Sequence, residues 1–374
     1  MGILEMINDW RRIIMRRLAK GIGNHNHLSL NTSPSNTIKR ILISRPNDRL
    51  GNLLLITPLL QEVITTFPAC KIDLFVKGNL APILFKNYDH VETIIQLPRK
   101  PFKELLNYIK AWLLVRKNKY DLVINVVNYS SSGRLSTQLS NSTHKLFGDD
   151  HELSNQKYPD AEHIAKYPVY SLRFYLNKLK SKPIPSLNLK LSSIEFENGQ
   201  MLLNNLVKNK KRTISLFTYA TGAKKYSVSY WTTFYRNLKR EFGNYNIIEV
   251  LPKENVSQID FQAPTFYSND IREIGALIAN TDVFIGADSG IMHLASSVNT
   301  PTVGLFSVTD SKVYAPYNEN SLAINTNHNT LQDTIKALRK ILKTKKAAIL
   351  NGFSYFFDSE LFDFFHFTME CLPV

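Results

Sequence analysis

Two cysteines, Cys70 and Cys371, are all that the 374 residues contain. That is too few for a disulfide framework or a thiolate metal site, and it suits a reducing compartment. No apolar run approaches the ~20 residues that a bilayer span requires, the longest being stretches such as Leu53 to Ile56. The start of the chain lacks the long apolar core of a secretory signal. No cluster of His, Asp or Glu has metal-ligand spacing, so neither a metal nor a cofactor is expected. The basic stretches lack the interleaved aromatics of a base-stacking platform, which argues against a nucleic-acid partner. The expectation is a cytoplasmic protein, either soluble or peripheral at a membrane.

What is present is an ordinary packed composition with excess positive charge. Lys and Arg number 46 against 31 Asp and Glu, leaving +15 at pH 7, and 44% of residues are hydrophobic, with 15 Gly and 16 Pro. Disorder and collagen are excluded, and at roughly 150 residues per domain the length suggests two domains. The charge implies an anionic partner without choosing among nucleic acid, lipid and a phosphorylated substrate.

Residues 1–36 read as a basic amphipathic extension and linker. Trp10, Ile13, Ile14, Met15 and Leu18 interleave with Arg11, Arg12, Arg16, Arg17 and Lys20, and an Asn/Ser/Pro segment runs from Asn24 to Asn36. A second basic stripe follows the helical pattern from Pro98 to Lys119. Arg99, Lys100, Lys103, Lys110, Arg116, Lys117 and Lys119 oppose Glu104 alone, and the apolar side holds Phe102, Leu105, Leu106, Ile109, Trp112 and Leu113.

Strand signals at Arg40–Ser44, Lys71–Val76, Val91–Gln96 and Leu122–Val127 alternate with helical ones at Leu53–Thr66 and 101–117. After a Lys/Pro/Ser connector from Lys178 to Pro185 the pattern restarts. Strands are expected at Thr213–Phe217, Ile247–Leu251, Val283–Gly286 and Thr302–Phe306, with helices near Trp231–Glu241, Ile271–Asn280 and Met292–Val298. This predicts an α/β chain of two Rossmann-like domains, 37–182 and 183–350, whose parallel sheets face a central cleft. The tail 351–374, rich in Phe, carries Asp358, Glu360, Asp363 and Glu370 with no Lys or Arg. It is expected to dock on the body, since an anionic leaflet repels it.

Three loops at strand ends carry the chemistry. The first, Ser44-Arg45-Pro46-Asn47-Asp48-Arg49-Leu50-Gly51-Asn52, combines a carboxylate, two arginines and a glycine at the carboxyl end of a buried strand. In the second, Asp288-Ser289-Gly290-Ile291-Met292-His293, either Asp288 or Ser289 can cap a helix whose free N–H groups form an anion site, with His293 one turn on. The third, Thr218-Tyr219-Ala220-Thr221-Gly222-Ala223-Lys224, suits a diphosphate through its hydroxyls and lysine. Each alone has a bland alternative: a turn, a cap with a buried histidine, or a surface lysine.

Their order and spacing resemble glycosyltransferase family 9, the bacterial heptosyltransferases of lipopolysaccharide core assembly. Arg45 to Asn52 with Thr57-Pro58 is similar to the family's opening motif. Asp288-Ser289-Gly290 with His293-Leu294-Ala295, Pro301 to Phe306 and Thr309-Asp310 resembles its most specific signature. Lys224 and Trp231 match a family Lys preceding a Trp-Pro pair, which Tyr226-Ser227 replace here. The resemblance covers about residues 38–345. It implies a GT-B fold with a lipid-linked acceptor on the amino-terminal half and a nucleotide sugar, typically ADP-heptose, on the other, in an inverting reaction that needs no metal. The candidate donor contacts are Thr218, Thr221, Lys224, Glu254, Asp288, Ser289, Gly290 and His293, and the acceptor contacts are Arg45 and Arg49. The expected location is the cytoplasmic face of the inner membrane, with an anionic membrane surface as partner.

One position departs from the family. Where characterised heptosyltransferases place an aspartate, their proposed base, this chain has Asn52, and an amide has no useful basicity. Asp48, flanked by Arg45 and Arg49, is the expected substitute, with Asn52 positioning the acceptor. The alternative is a non-catalytic nucleotide-sugar-binding subunit that lost its base. An epimerase of the same architecture is disfavoured by the opening motif.

Overall fold

The computed structural model describes residues 38–149, 158–178 and 182–344, plus 13–14, 17 and 21–23. The tail and most of the 1–36 extension lie outside the described residues.

Strands β1 (Arg40–Arg45), β2 (Lys71–Lys77), β3 (Val91–Leu97), β4 (Lys119–Asn125) and β5 (Asn141–Leu146) form one sheet in the order β3-β2-β1-β4-β5. Every pairing in it is parallel. Such a sheet is covered on both faces, which is why Ile41, Leu42 and Ile43 of β1 are all sealed from solvent. Ile41 and Ile43 pack with Leu53 and Leu60 from the helices α1 (Leu50–Leu54) and α2 (Thr57–Thr66). Leu42, facing the other way, packs with Phe75, Val123 and two residues of a later helix, Ala111 and Val115. The helical stretch expected over Leu53–Thr66 is two helices, because Pro58 occupies the first turn of α2 and cannot continue a preceding helix.

After β2 comes α3 (Ala81–Leu84). After β3 comes α4 (Leu105–Lys117), after β4 comes α5 (Ser131–Leu139), and α6 (Tyr167–Tyr175) packs on α2. α4 departs from its amphipathic expectation. Ala111 and Val115 are buried, and Trp112 meets Phe75 edge-on at 5.2 Å. Phe102, Leu105, Leu106, Ile109 and Leu113 instead face solvent, Leu106 being 84% exposed.

The second sheet comprises β6 (Thr213–Phe217), β7 (Asn246–Val250), β8 (Thr265–Phe266), β9 (Val283–Ala287), β10 (Thr302–Phe306) and β11 (Leu322–Asn325), in the order β11-β10-β9-β6-β7-β8. Its helices are α7 (Ser193–Val207), α8 (Val228–Glu241), α9 (Ile271–Ala279), α10 (Gly290–Ser297), α11 (Ser311–Tyr314) and α12 (331–344). β5, β8 and β11 have no counterpart among the expected strands. They stand at or beside sheet edges, where a strand needs no continuous apolar run; β5 reads Asn-Ser-Thr-His-Lys-Leu.

The two sheets are joined by a shared core and a polar clasp. Leu53 and Leu54 belong to the same buried cluster as Leu277, Met292 and Leu294. Arg272 holds Glu195 through two hydrogen bonds of 2.6 and 2.8 Å and donates to the carbonyls of Leu84, Leu189 and Lys190. Asn87 donates to Lys190 O and to the same carboxylate. The Arg272 guanidinium holds the Glu195 carboxyl far below the usual carboxylate range.

Candidate active site

β6 and β9 are neighbours in the sheet, so their carboxyl ends deliver two loops to one place. After β9, the Asp288 N–H extends the ladder to Leu305 O at 3.0 Å. Ser289 then caps α10, its hydroxyl accepting from the Met292 N–H at 3.3 Å. Capping by Ser289 leaves the Asp288 carboxylate free for other partners. It receives Lys224 Nζ at 2.6 Å from the turn after β6, and the hydroxyl of Thr309. Asp288 is 5% exposed, so this lysine is the cation that compensates its charge.

His293 is buried one turn into α10, and burial pushes its pKa down to about 4 against the opposing pull of Asp288. The imidazole is therefore neutral at pH 7, and its Nδ1 has no hydrogen-bond partner among the described residues. A Cβ at Gly51 would meet His293 Cδ2 at 2.7 Å, and one at Gly290 would meet Leu50 Cβ at 3.0 Å and Gly51 N at 3.3 Å. α1 and α10 thus touch with no room for a side chain at either glycine, which seats the opening motif directly on the Asp-Ser-Gly turn. His163, from the first half of the chain, also lies close enough to disfavour charge on His293.

Within the opening loop, Asn47 Oδ1 accepts from the Arg49 N–H at 2.9 Å and from Asn52 Nδ2 at 3.0 Å. Asp48 points elsewhere: its Oδ2 lies 3.3 Å from Arg99 Nε. The expectation that Arg45 and Arg49 flank this carboxylate is therefore corrected. Arg45 is buried, Arg49 is exposed, and the arginine that pairs with Asp48 comes from the end of β3. Arg99 also lines a cavity of about 510 Å³ between β3 and α4, together with Leu97, Asn107 and Lys110.

Residues 109–344 match the family model described as glycosyltransferase family 9 (heptosyltransferase). The chain belongs to this family. It is a glycosyltransferase. Among curated relatives it is 26% identical over 325 residues to lipopolysaccharide heptosyltransferase 1 of Campylobacter coli, covering 79% of this chain and 89% of that protein. It is 23% identical over 302 residues to lipopolysaccharide heptosyltransferase 3 of Escherichia coli, covering 73% and 85%. Its fold is shared by a family 9 glycosyl transferase of Veillonella parvula, at TM-score 0.62 and 15% identity over 82% of this chain and 97% of that one. An E. coli heptosyltransferase solved with ADP superposes at TM-score 0.60 and 18% identity over 82% and 99%. The two parallel sheets are thus the two halves of a GT-B glycosyltransferase.

Not every expected donor contact is available to a ligand in this glycosyltransferase. Thr218 is a correction: it is buried, its hydroxyl donates to Glu249 Oε1 at 2.6 Å, and it accepts from the Gln258 N–H. Glu249, which sequence reasoning missed, lies sealed on β7 with Ser257 as its other partner, and burial pushes its pKa up. Thr221 is exposed beside Lys224. Glu254 is exposed and faces Lys253 Nζ at 3.9 Å, with no hydrogen bond or ion pair to Lys224 or Asp288. Among the described residues, no group of three or more His, Cys, Asp or Glu could hold a metal ion, and no helix is long and apolar enough to cross a membrane.

Proposed function

We propose that this chain transfers a sugar, with heptose the leading case, from an ADP-heptose-like nucleotide sugar to a lipopolysaccharide or lipooligosaccharide core, with inversion and without a metal. The observation that carries the reading is the Lys224–Asp288 pair at the ends of β6 and β9, beside the amino terminus of α10 and under the opening motif. A departing diphosphate needs positive charge, which Lys224 and the α10 N–H groups supply from fixed positions. The family relatives named lipopolysaccharide heptosyltransferases support the acceptor class, and a neighbour solved with ADP supports the donor. In this division, 183–350 holds the donor through Lys224, Thr221, Asp288, Ser289, Gly290 and His293. The domain 37–182 presents the acceptor beside Arg49 and the cavity at Arg99. The acceptor hydroxyl attacks the anomeric carbon as the bond to the diphosphate breaks on the opposite face, and Asp48 takes the proton.

The test is nucleotide release from ADP-heptose with and without a lipid-linked core acceptor, run in EDTA. Acceptor-dependent release in EDTA is expected. Loss of turnover that Mg²⁺ restores overturns the metal-free mechanism, and donor binding without any release favours the binding-subunit alternative.

The location in this reading is the cytoplasmic face of the inner membrane. Leu106, Ile109 and Leu113 are exposed along α4, Phe102 precedes it at 62% exposure, and Lys100, Lys103, Lys110, Arg116 and Lys117 surround them. Apolar side chains ringed by cations suit an anionic leaflet, each cation near the surface contributing ~1 kcal/mol. Co-sedimentation with anionic vesicles is expected to fall as salt rises, on removal of residues 1–36, and in Ile109→Glu/Leu113→Glu. Equal binding to neutral and anionic vesicles refutes the electrostatic part.

A further inference from the structure

Among the described residues, the buried arginines are matched to acceptors with one exception. Arg272 has Glu195 and four backbone carbonyls, those of Ile83, Leu84, Leu189 and Lys190. Arg173 holds Glu62 through two bonds of 2.7 Å and donates to Lys182 O. Arg45 is 7% exposed, and among the described residues its guanidinium forms no hydrogen bond and no ion pair. Its electrostatic neighbours are the phenols of Tyr129 and Tyr314, and burial pulls its pKa below the ordinary arginine value. A guanidinium does not shed its proton at neutral pH, so the fold carries a largely buried charge with no counter-charge among the described residues, its nitrogens keeping a trace of solvent contact.

The position of that charge says what it is for. Arg45 ends β1, the central strand of the first sheet, at the carboxyl edge where open α/β sheets bind ligands. Tyr129 comes from the loop after β4, and Tyr314 from α11 of the second half. The Tyr314 phenol lies within electrostatic range of both Arg45 and the Asp288 carboxylate. The planar fork of arginine matches two oxygens of a phosphoryl or carboxylate group, and the Tyr129 and Tyr314 phenols, paired with each other, leave one hydroxyl to donate beside it.

We propose that Arg45 is an anion-recognition residue that takes a phosphoryl or carboxylate group of a substrate, and that its unpaired burial destabilises the unliganded protein. The chemistry has two sources under the glycosyltransferase reading on which the ligand's identity rests: the diphosphate of the donor, or a phosphate or carboxylate of the acceptor. The existence of the anion site does not depend on turnover, so it is tested by binding.

The full chain is compared with Arg45→Gln and Arg45→Lys by thermal unfolding, alone and with ADP or inorganic phosphate, and by calorimetry with ADP. Arg45→Gln is expected to melt at the wild-type temperature or higher without anion, since it removes an uncompensated charge, and to lose most of the anion-induced shift. A rise in the ADP Kd of about 10- to 100-fold assigns the donor diphosphate, as expected for a lost bond between charged groups. An unchanged ADP Kd with a lost phosphate response assigns the acceptor's anion. Arg45→Lys keeps the charge without the fork and is expected to bind the responding anion with intermediate affinity. The proposal is overturned if Arg45→Gln melts lower or fails to fold while Arg45→Lys binds both anions as wild type does. It is overturned equally if both variants keep wild-type responses, or if wild type responds to neither anion.

Discussion

Replacing Asp48 with asparagine is expected to lower kcat by ~10²-fold or more with donor affinity intact, because the loop then holds three amides and no group able to take the acceptor's proton. Asp48 keeps about a third of its side-chain surface exposed, and its ion pair is with Arg99 rather than with the arginines beside it in the chain. Exposure leaves the carboxylate reachable by a hydroxyl while Arg99 orients it. Asn52 cannot play that part: its Nδ2 donates to Asn47 Oδ1, which leaves the Asn52 carbonyl to accept a hydrogen bond from the acceptor without removing its proton. Asn52→Asp sets a carboxylate against the Asn47 carbonyl, so the Asn47 amide must turn over to donate. With that rearrangement, the variant is expected to retain or raise activity. If Asp48 only shapes the loop through Arg99, Asp48→Asn lowers the thermal midpoint and leaves the rate per folded molecule unchanged. Turnover and melting measured on one sample separate these, and a normal rate removes Asp48 from the mechanism.

Lys224→Ala is expected to raise the Kd for ADP by about 10- to 100-fold, the range for losing a charge-assisted contact to a phosphate. The same change removes the cation from the buried Asp288 carboxylate, leaving it the Thr309 hydroxyl, so the thermal midpoint falls as well. Lys224→Arg retains the charge and is expected to recover stability more fully than affinity, because a fork does not reproduce the point charge of an ammonium. Calorimetry with ADP checks the first effect. An unchanged Kd in Lys224→Ala places the diphosphate elsewhere and with it overturns the donor-site assignment.

Much of the fold was legible because hydrophobic periodicity is local. Thr213–Phe217 and Thr302–Phe306 are strands with the expected bounds, and β1, β2, β3, β7 and β9 differ from expectation by a residue or so at their ends. All but β3, an edge strand carrying an Ile-Ile pair, are buried strands with mostly apolar side chains, a pattern that survives without tertiary context. β5 was not legible because its sequence, Asn-Ser-Thr-His-Lys-Leu, is polar, and β11 because the four residues Leu-Ala-Ile-Asn are too short a run to show a period. α4 shows a different failure: its periodicity identified a helix but could not say which of two apolar stripes faces inward. Trp112 and Ala111 found Phe75, and the larger stripe was left outside.

The candidate site divides in the same way. The chain by itself determined which loops lie at strand ends, which of them carry the family's motifs, and that glycines stand at positions 51 and 290, because all of this is written in contiguous residues. Only the tertiary structure decided the partners. Ser289 rather than Asp288 caps α10, Lys224 and Thr309 meet at Asp288, Thr218 goes to Glu249, Asp48 goes to Arg99, and Arg45 finds no hydrogen-bond or ion-pair partner among the described residues. Each pairing joins residues distant in sequence or chooses between neighbouring acceptors, and the choice is made by which side chains the sheet order and the α1–α10 contact bring within a few ångströms.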